Sequence, residues 1–316
     1  MSNISMICAG IDVAKDRLEV AVHPGGARLD VGNDAAGLQA LDAFLDTHGV
    51  QRVGFEASGG YEWRLMAHLR QGPRPAARLQ PAQVRAFAKS RLQRAKNDRL
   101  DARLIAAFTA ALERLPELPE ARFDNLAAEL TYLEQIEQQI ALVKTFAEAA
   151  LTDSIRRRHQ RQIETLTKKR EAEIERIAKA MRADAQLSRR LDLLVSIKGI
   201  GLRSALALVI RLPELGQASR EEVAALVGVA PFDDDTGKRC GIRHIDGGRE
   251  RLRKAVFMCA FTAARHNPDL AAFYKRLRQK GKDHKLAVIA VARKLVVLAN
   301  AVVARGSEWT PRYQHP

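Results

Sequence analysis

Four acids stand out by type and order: Asp12 in "GID", Glu56 in "FEASGG", and Asp98 and Asp101 in "NDRLDA". Asp12 closes the apolar run "ISMICAGID" and Glu56 closes "RVGFE", so both read as residues at strand ends. If those strands are parallel neighbours, the two carboxylates leave the sheet at one edge. Asp98 and Asp101 stand three residues apart, which puts them on one face of a helix. Four carboxylates converging on a point repel one another unless a cation sits among them. Hard oxygen donors of this kind suit Mg²⁺ or Mn²⁺. One or two such ions polarise a phosphodiester and stabilise charge on its attacking and leaving oxygens. Each acid alone has a plainer role, Asp12 as a turn residue and Asp98 as a helix cap. Their order on one scaffold carries the argument.

The scaffold is legible around them. "RLEVAVH" and "ARLDVG" alternate as strands, and "DAAGLQALDAFLDTHG" is a helix opened by Asp34 and closed by Gly49. "RVGFE", the helix "YEWRLMAHLRQ", the short strand "AARLQP" and the helix "AQVRAFAKSRL" follow. Three strands, a helix, then alternating strands and helices predict a mixed sheet flanked by helices. The prolines of "ERLPELPEAR" (113–122) end this unit. Beyond them, Leu126, Leu130, Leu133, Ile136, Ile140 and Val143 form one apolar helix stripe, and Ile163, Leu166, Ile174, Ile177 and Met181 a second. These read as a helical hairpin or one long helix with coiled-coil packing, serving as spacer or dimer contact. From Leu191 the chain is mostly helical, with a glycine-rich loop at 236–248 and apolar helices near 250–265 and 284–304. "SIKGIGLRSALALV" (196–209) reads either as a tight helix turn that needs glycine or as a helix-hairpin-helix corner. Lys198, Gly199, Gly201 and Arg203 stand there to offer backbone N–H groups and charge to a phosphate.

Charge points the same way. Lys and Arg number 52 against 37 Asp and Glu, a net charge of +15 over 316 residues, which favours a polyanionic partner, nucleic acid first. The basic runs "IRRRHQRQIETLTKKR" (155–170) and "YKRLRQKGKDHK" (274–285) extend this. No apolar run near 18 residues and no signal peptide is read, so no membrane partner is expected. Cys8, Cys240 and Cys259 are odd in number and widely spaced, which speaks against disulfides and zinc and for a reducing cytoplasm. Aromatic residues are 5% of the chain, so contacts to phosphate backbone are expected over base-stacking platforms.

The order "GID…FEASG…NDRLDA" resembles the DEDD insertion-sequence transposases, a family that includes Piv-type DNA invertases and bridge-RNA-guided recombinases. "VGVAPFDDDTGKRCGIRHIDGGRERLRKAVFMCAFTAARHNP" (227–268) is similar to the family's C-terminal transposase domain, so the resemblance runs from Asp12 to about Leu298. It implies an α/β plus α chain in three parts. These are an RNase H/RuvC-like catalytic domain (1–115), a helical coiled-coil segment (116–188) and a mostly helical transposase domain with the helix-hairpin-helix (189–316). Asp12, Glu56, Asp98 and Asp101 fall on the family's four metal-binding acids. Thr236 falls where recombinases of the family carry the serine nucleophile; threonine keeps the hydroxyl but adds a β-methyl. Asn97 stands where a threonine is common, and Lys198 where a proline is. Lys238, Arg239, Arg243, His244 and Arg249 follow Thr236 among glycines that admit a phosphate closely.

The implied activity is strand cutting and rejoining of element ends and target DNA with Mg²⁺, in a bacterial cytoplasm and nucleoid. In some members a structured guide RNA directs the reaction. Two-site chemistry implies a homodimer, and synapsis a tetramer. Two other readings fit the same residues. One is a RuvC-like endonuclease using metal-activated water. The other is a catalytically silent nucleic-acid-binding protein.

Overall fold

The computed structural model describes residues 6–91, 98–232, 244–245 and 247–311. The chain divides into two compact units, residues 1–124 and 125–316.

The first unit is built on a five-stranded sheet. Its strands are β1 (Cys8–Val13), β2 (Arg17–His23), β3 (Arg28–Gly32), β4 (Arg52–Glu56) and β5 (Ala76–Leu79), in the order β3-β2-β1-β4-β5. β1 to β3 are an antiparallel meander, while β4 and β5 join β1 in parallel. The connections are α1 (Ala35–Thr47), α2 (Trp63–Gln71) and α3 (Pro81–Ser90), with α4 (Asp98–Ala111) closing the unit. The sequence marks each start. The Asp34 carboxylate accepts the Gly37 N–H at 2.8 Å as the N-cap of α1, and Pro81 opens α3, where its missing N–H costs nothing.

Alternation along the central strands sets the two faces. Ala9, Ile11 and Val13 of β1, with Val53 and Phe55 of β4, pack with Leu41 and Leu45 of α1 and Leu65 and Met66 of α2. Removing side chains of this size from water stabilises by about 1.5–3 kcal/mol each. Gly10 and Gly54 face the other way, toward α4. A Cβ at Gly10 would lie 2.8 Å from Ala106 Cα, and one at Gly54 3.1 Å from Thr109 Cβ, so the helix rests directly on the backbone of both strands. Ala77, Leu79, Val84 and Ile105 fill the core beside this contact.

The second unit starts in α5 (Arg122–Glu148), whose first residues belong to the division itself. α5 and α6 (Asp153–Arg182) form a helical hairpin, so of the two sequence expectations the hairpin holds. The chain turns at 149–152, where the Thr152 hydroxyl accepts the Ile155 N–H at 3.3 Å. The stripes meet through Ile136, Ile140, Val143 and Ile163, flanked by Ala147 and Leu166. The run 151–162, without a stripe of its own, is mostly the exposed start of α6.

Then come α7 (Ala185–Val195), α8 (Leu202–Arg211), α9 (Arg220–Val227), α10 (Glu250–His266), α11 (Pro268–Gln279) and α12 (His284–Arg305). A short antiparallel pair, β6 (Pro231–Phe232) and β7 (His244–Ile245), joins the loops between α9 and α10. α9 escaped the sequence reading although its signal is present: Ser219 and Glu222 form a reciprocal capping box. α11, read only as a basic run, is opened by Asn267 as N-cap and Pro268 at N1.

One expectation needs correction. α12 is a 22-residue helix with mean hydropathy 2.1 over its most apolar 18-residue window, long and apolar enough to cross a membrane by composition. Arg293 and Lys294 interrupt the run to the eye without lowering that average below the mark. Half of the window is buried against the rest of the unit, through residues such as Val291, Leu295 and Val296, and α12 packs on α7, α9, α10 and α11. That is the position of a core helix. Cys8 and Cys259 are buried free thiols, and burial pushes both thiols up. Cys240 lies outside the described residues.

Candidate active site and nucleic-acid interface

Asp12 and Glu56 occupy matching positions. The register pairs Gly10 with Gly54 and Ile11 with Phe55, so one step further sets Asp12 beside Glu56 on neighbouring parallel strands. Each stands two residues beyond a glycine that faces α4, and so emerges on the same face. Both are half-buried. α4 begins at Asp98, and Ala102 and Ala106, one and two turns on, rest against Gly10. The helix that carries Asp98 and Asp101 therefore lies on the face that carries Asp12 and Glu56. The side chains of Asp98 and Asp101 are outside the described part of the structure.

The row of acids is longer than the sequence suggests. Glu19 is the cross-strand partner of Asp12, and Asp30 that of Glu19. Opposed like charges destabilise a sheet. Arg17 offsets the repulsion, pairing with the Glu19 carboxylate and reaching Asp30 at 2.6 Å.

Two further residues, neither anticipated, fix the loops that follow the acids. Asn33 is buried, and its amide donates to the carbonyls of Ala14 (3.1 Å) and Tyr61 (3.0 Å), tying the turn after β1 to the turn after β4. Glu62 is 3% exposed, and its Oε2 accepts from the Ser58 N–H and hydroxyl and from the Gly60 N–H, at 2.8–3.2 Å. It thereby clamps the "ASGG" loop that begins immediately after Glu56. Gly59 and Gly60 carry positive φ there (81° and 131°), so the sequence signal was a glycine pair followed two residues later by an acid.

Among the described residues no group of three or more His, Cys, Asp or Glu is arranged to hold a metal ion. The donor chemistry still fits a hard divalent cation. Asp12 and Glu56 are carboxylates at adjacent positions of neighbouring parallel strands, and the helix packed on that face has two more acids in its first turn.

In the second unit, the "KGIG" corner joins α7 to α8. Gly199 has φ +108°, and a Cβ there would lie 2.5 Å from the Ala263 Cβ, so the turn requires glycine twice over. The Lys198 carbonyl accepts from the buried Asn267 amide at 3.0 Å, leaving the exposed Lys198 ammonium as the outward group. Gly201 is the N-cap of α8, with no side-chain cap and nothing within 4 Å of its Cβ position.

Arg203 and Arg249 are placed otherwise than the sequence suggested. Arg203 makes a bidentate pair with Glu137 of α5, at 3.0 and 2.7 Å. Burial works against the Arg203 charge, but Glu137 and Glu134 outweigh it and hold the guanidinium pKa up. Glu134 also receives Arg211 and Arg251, both at 2.9 Å. Burial dominates at Arg211 and lowers its pKa. Arg249 is bound to Glu214 at 2.7 Å and to the Arg211 carbonyl at 2.8 Å. These guanidiniums staple helices together. Thr236, Lys238, Arg239 and Arg243 lie outside the described residues, as does the His244 side chain.

A family model described as a transposase, of the DEDD type of IS110, matches residues 9–168, and one for the transposase IS116/IS110/IS902 family matches residues 191–275. The pilin gene-inverting protein of Moraxella bovis is 27% identical over 323 residues, covering 96% of this chain and 97% of its own. The same protein of Moraxella lacunata matches equally. A 43.6 kDa protein of insertion element IS110 from Streptomyces coelicolor is 27% identical over 121 residues, 38% of this chain and 30% of its own. The two models match in order, the first covering half of the chain, so the chain belongs to the IS110-type DEDD transposases, enzymes that cut and join DNA.

Proposed function

We propose that this chain is the recombinase of a mobile element, acting on element ends and target DNA with Asp12, Glu56, Asp98 and Asp101 as its metal-binding acids. The observation that carries the reading is the β1–β4 register, which sets Asp12 beside Glu56 on the face covered by α4. The strand order and the antiparallel-then-parallel pattern support an RNase H/RuvC-like catalytic domain at 1–115. A coiled-coil segment at 116–188 and a transposase domain at 189–316 complete the division. The four carboxylates would hold Mg²⁺ or Mn²⁺, which supplies charge stabilisation to the phosphodiester oxygens.

The chain's own residues do the rest. Asn33 and Glu62 hold the two loops at the acid edge in place. The Thr236 hydroxyl is the nucleophile: its Oγ–P bond forms as a phosphodiester P–O bond breaks, and the leaving hydroxyl takes up a proton. Lys238, Arg239 and Arg243 hold phosphates around it. Lys198, with the Gly199 turn and the open backbone at Gly201, grips phosphate at the helix-hairpin-helix corner. Arg203 and Arg249 serve by anchoring that corner and the loop before α10. The hairpin of α5 and α6 supports a homodimer, two of which bring two DNAs together next to the bacterial nucleoid.

The test is a nicked element-end substrate with Mg²⁺. Asp12→Asn or Glu56→Gln abolishes cleavage and leaves DNA binding near normal. Wild type leaves a covalent protein–DNA adduct that Thr236→Ala cannot form and Thr236→Ser can. Cleavage without any adduct assigns the reaction to water, and full recombination by Thr236→Ala removes Thr236 from the mechanism. Sequencing the nucleic acid that co-purifies with the chain, expressed from its whole element, reads out any guide RNA.

A further inference from the structure

We infer that the corner where α10, α11 and α12 meet binds an unpaired nucleic-acid strand. The inference rests on the chain acting on nucleic acid, and names residues other than the four acids, Thr236 and the "KGIG" run.

The first observation is charge. Between residues 265 and 294, nine Lys or Arg are exposed, against two acids, Asp269 and Asp283. Among the described residues none of the nine is held in an ion pair. The arginines of α8 and of the start of α10 are different, since Glu134, Glu137 and Glu214 engage them. A surface where exposed cations so outnumber acids is the footprint of a polyphosphate chain.

The second observation is the gathering of rings within that charge. His284 lies edge to face with Phe261 at 5.8 Å and with Tyr274 at 5.9 Å, and its Nδ1 is 2.7 Å from the Tyr274 hydroxyl. Arg265 sits 4.5 Å over the Phe261 ring. On the adjoining side, Lys294 and Arg276 lie 4.3 and 5.4 Å from the centre of the Phe273 ring. The rings are half-buried and His284 is exposed. Low aromatic content hid this, because the rings come from three helices and only the fold collects them. Cations interleaved with aromatic faces are the arrangement that tracks a backbone while bases stack, and a base within a duplex has no free face to offer.

The test uses the full chain and a fluorescent oligonucleotide, single-stranded and duplex, in DNA and RNA versions. Lys275, Lys280, Lys282 and Lys285 are changed together to Gln; all four are exposed, so the fold is kept, and a melt checks it. Single-strand affinity should fall on the order of 100-fold at 0.1 M salt, and the slope of log K against log salt should flatten by about 3. His284→Ala should weaken single-strand binding about tenfold and leave duplex binding unchanged. If both variants bind the single strand like wild type, and wild type binds it in a salt-dependent way, the inference is wrong and the recombinase reading stands. If wild type binds no nucleic acid at low salt, both fall. If the lysine variant loses only its affinity for phosphatidylserine vesicles, the surface belongs to a membrane and the inference is overturned.

Discussion

Gly10→Ala is the sharpest probe of the acid site, because it touches no acid. The added methyl would lie 2.8 Å from the Cα of Ala106, and nearer still to Ala106 N and Ala102 O. Carbon atoms in contact rest about 3.5–4.0 Å apart, so α4 must withdraw by roughly 1 Å. The obstacle is helix backbone, which no rotamer change relieves. Overpacking of this kind costs about 1–3 kcal/mol, a fall of roughly 5–10 °C in the melting midpoint of a unit this size. The same displacement carries Asp98 and Asp101 away from Asp12 and Glu56. A misplacement of about 1 Å at a reacting centre can lower the rate about 100-fold. Gly54→Ala is the matched case with a remedy. Its methyl meets the Thr109 hydroxyl, which Thr109→Ala removes, leaving approaches of 3.0 Å to Leu79 Cδ1, the end of a flexible side chain, and 3.1 Å to Cβ of residue 109, which small shifts absorb. The Gly54→Ala/Thr109→Ala pair should therefore recover most of the loss, a coupling of about 1–2 kcal/mol. Gly201→Ala, in open space with φ −82°, should leave the melt unchanged or raise it slightly. Thermal melts and Mg²⁺-dependent cleavage of an element-end substrate measure all four. A Gly10→Ala chain that melts and cleaves like wild type would refute the packing of α4 on β1, and with it the shared face of the acids.

Two further outcomes follow from particular contacts. Glu62→Ala strands three half-buried donors of the loop after Glu56, so it should lower stability by about 1–2 kcal/mol and cut kcat with little change in KM; Glu62→Gln, which keeps one acceptor oxygen, should retain most activity. Equal loss in both variants would mean that the charge of Glu62, and not its grip on the loop, matters. Burial pushes the Glu214 carboxyl up, but the Arg249 hydrogen bond and charge outweigh it and hold the pKa below the ordinary value of 4.5. The pair's stabilisation is thus complete above that value and is lost as pH falls through the lowered one. Glu214→Gln should flatten this part of the acid limb in a pH–stability profile; an unchanged limb would show that the pair is not linked to folding.

What the sequence revealed follows from how local each signal is. Strand β1, the caps of α1 and the proline start of α3 are set by neighbours within a few residues, so "GID", Asp34 and Pro81 were readable directly. Asp12 and Glu56 were readable as a pair because parallel neighbours share an edge, and the β1–β4 register bears that out. Glu19, Asp30, Asn33 and Glu62 were not, since each owes its role to a partner in another strand or loop. Asn33 resembles any turn asparagine until its amide is seen joining Ala14 to Tyr61. α12 shows the opposite failure: two charges conceal a run whose average hydropathy is high, and only packing shows that neighbouring helices cover it.

The +15 charge is the clearest case of a total that misleads in detail. Counted along the chain, Arg203 and Arg249 look as available to a phosphate as Lys275 or Lys282. Folded, the first two are committed. Removing Glu137 or Glu214 would leave a half-buried guanidinium with its carboxylate gone, which is costly, so their charge cannot be lent to DNA without loosening the helices they join. The lysines of the α11–α12 corner pay no such penalty, being exposed and outside any ion pair among the described residues. Net charge therefore names the class of partner, and the location of the carboxylates decides which cations meet it. By that rule the grip on nucleic acid proposed above rests on Lys198 and the corner around His284, with Arg203 and Arg249 as helix anchors. Salt dependence should follow: neutralising the corner flattens the salt slope of binding, whereas Arg203→Ala lowers the melting midpoint and leaves the slope of the folded protein unchanged.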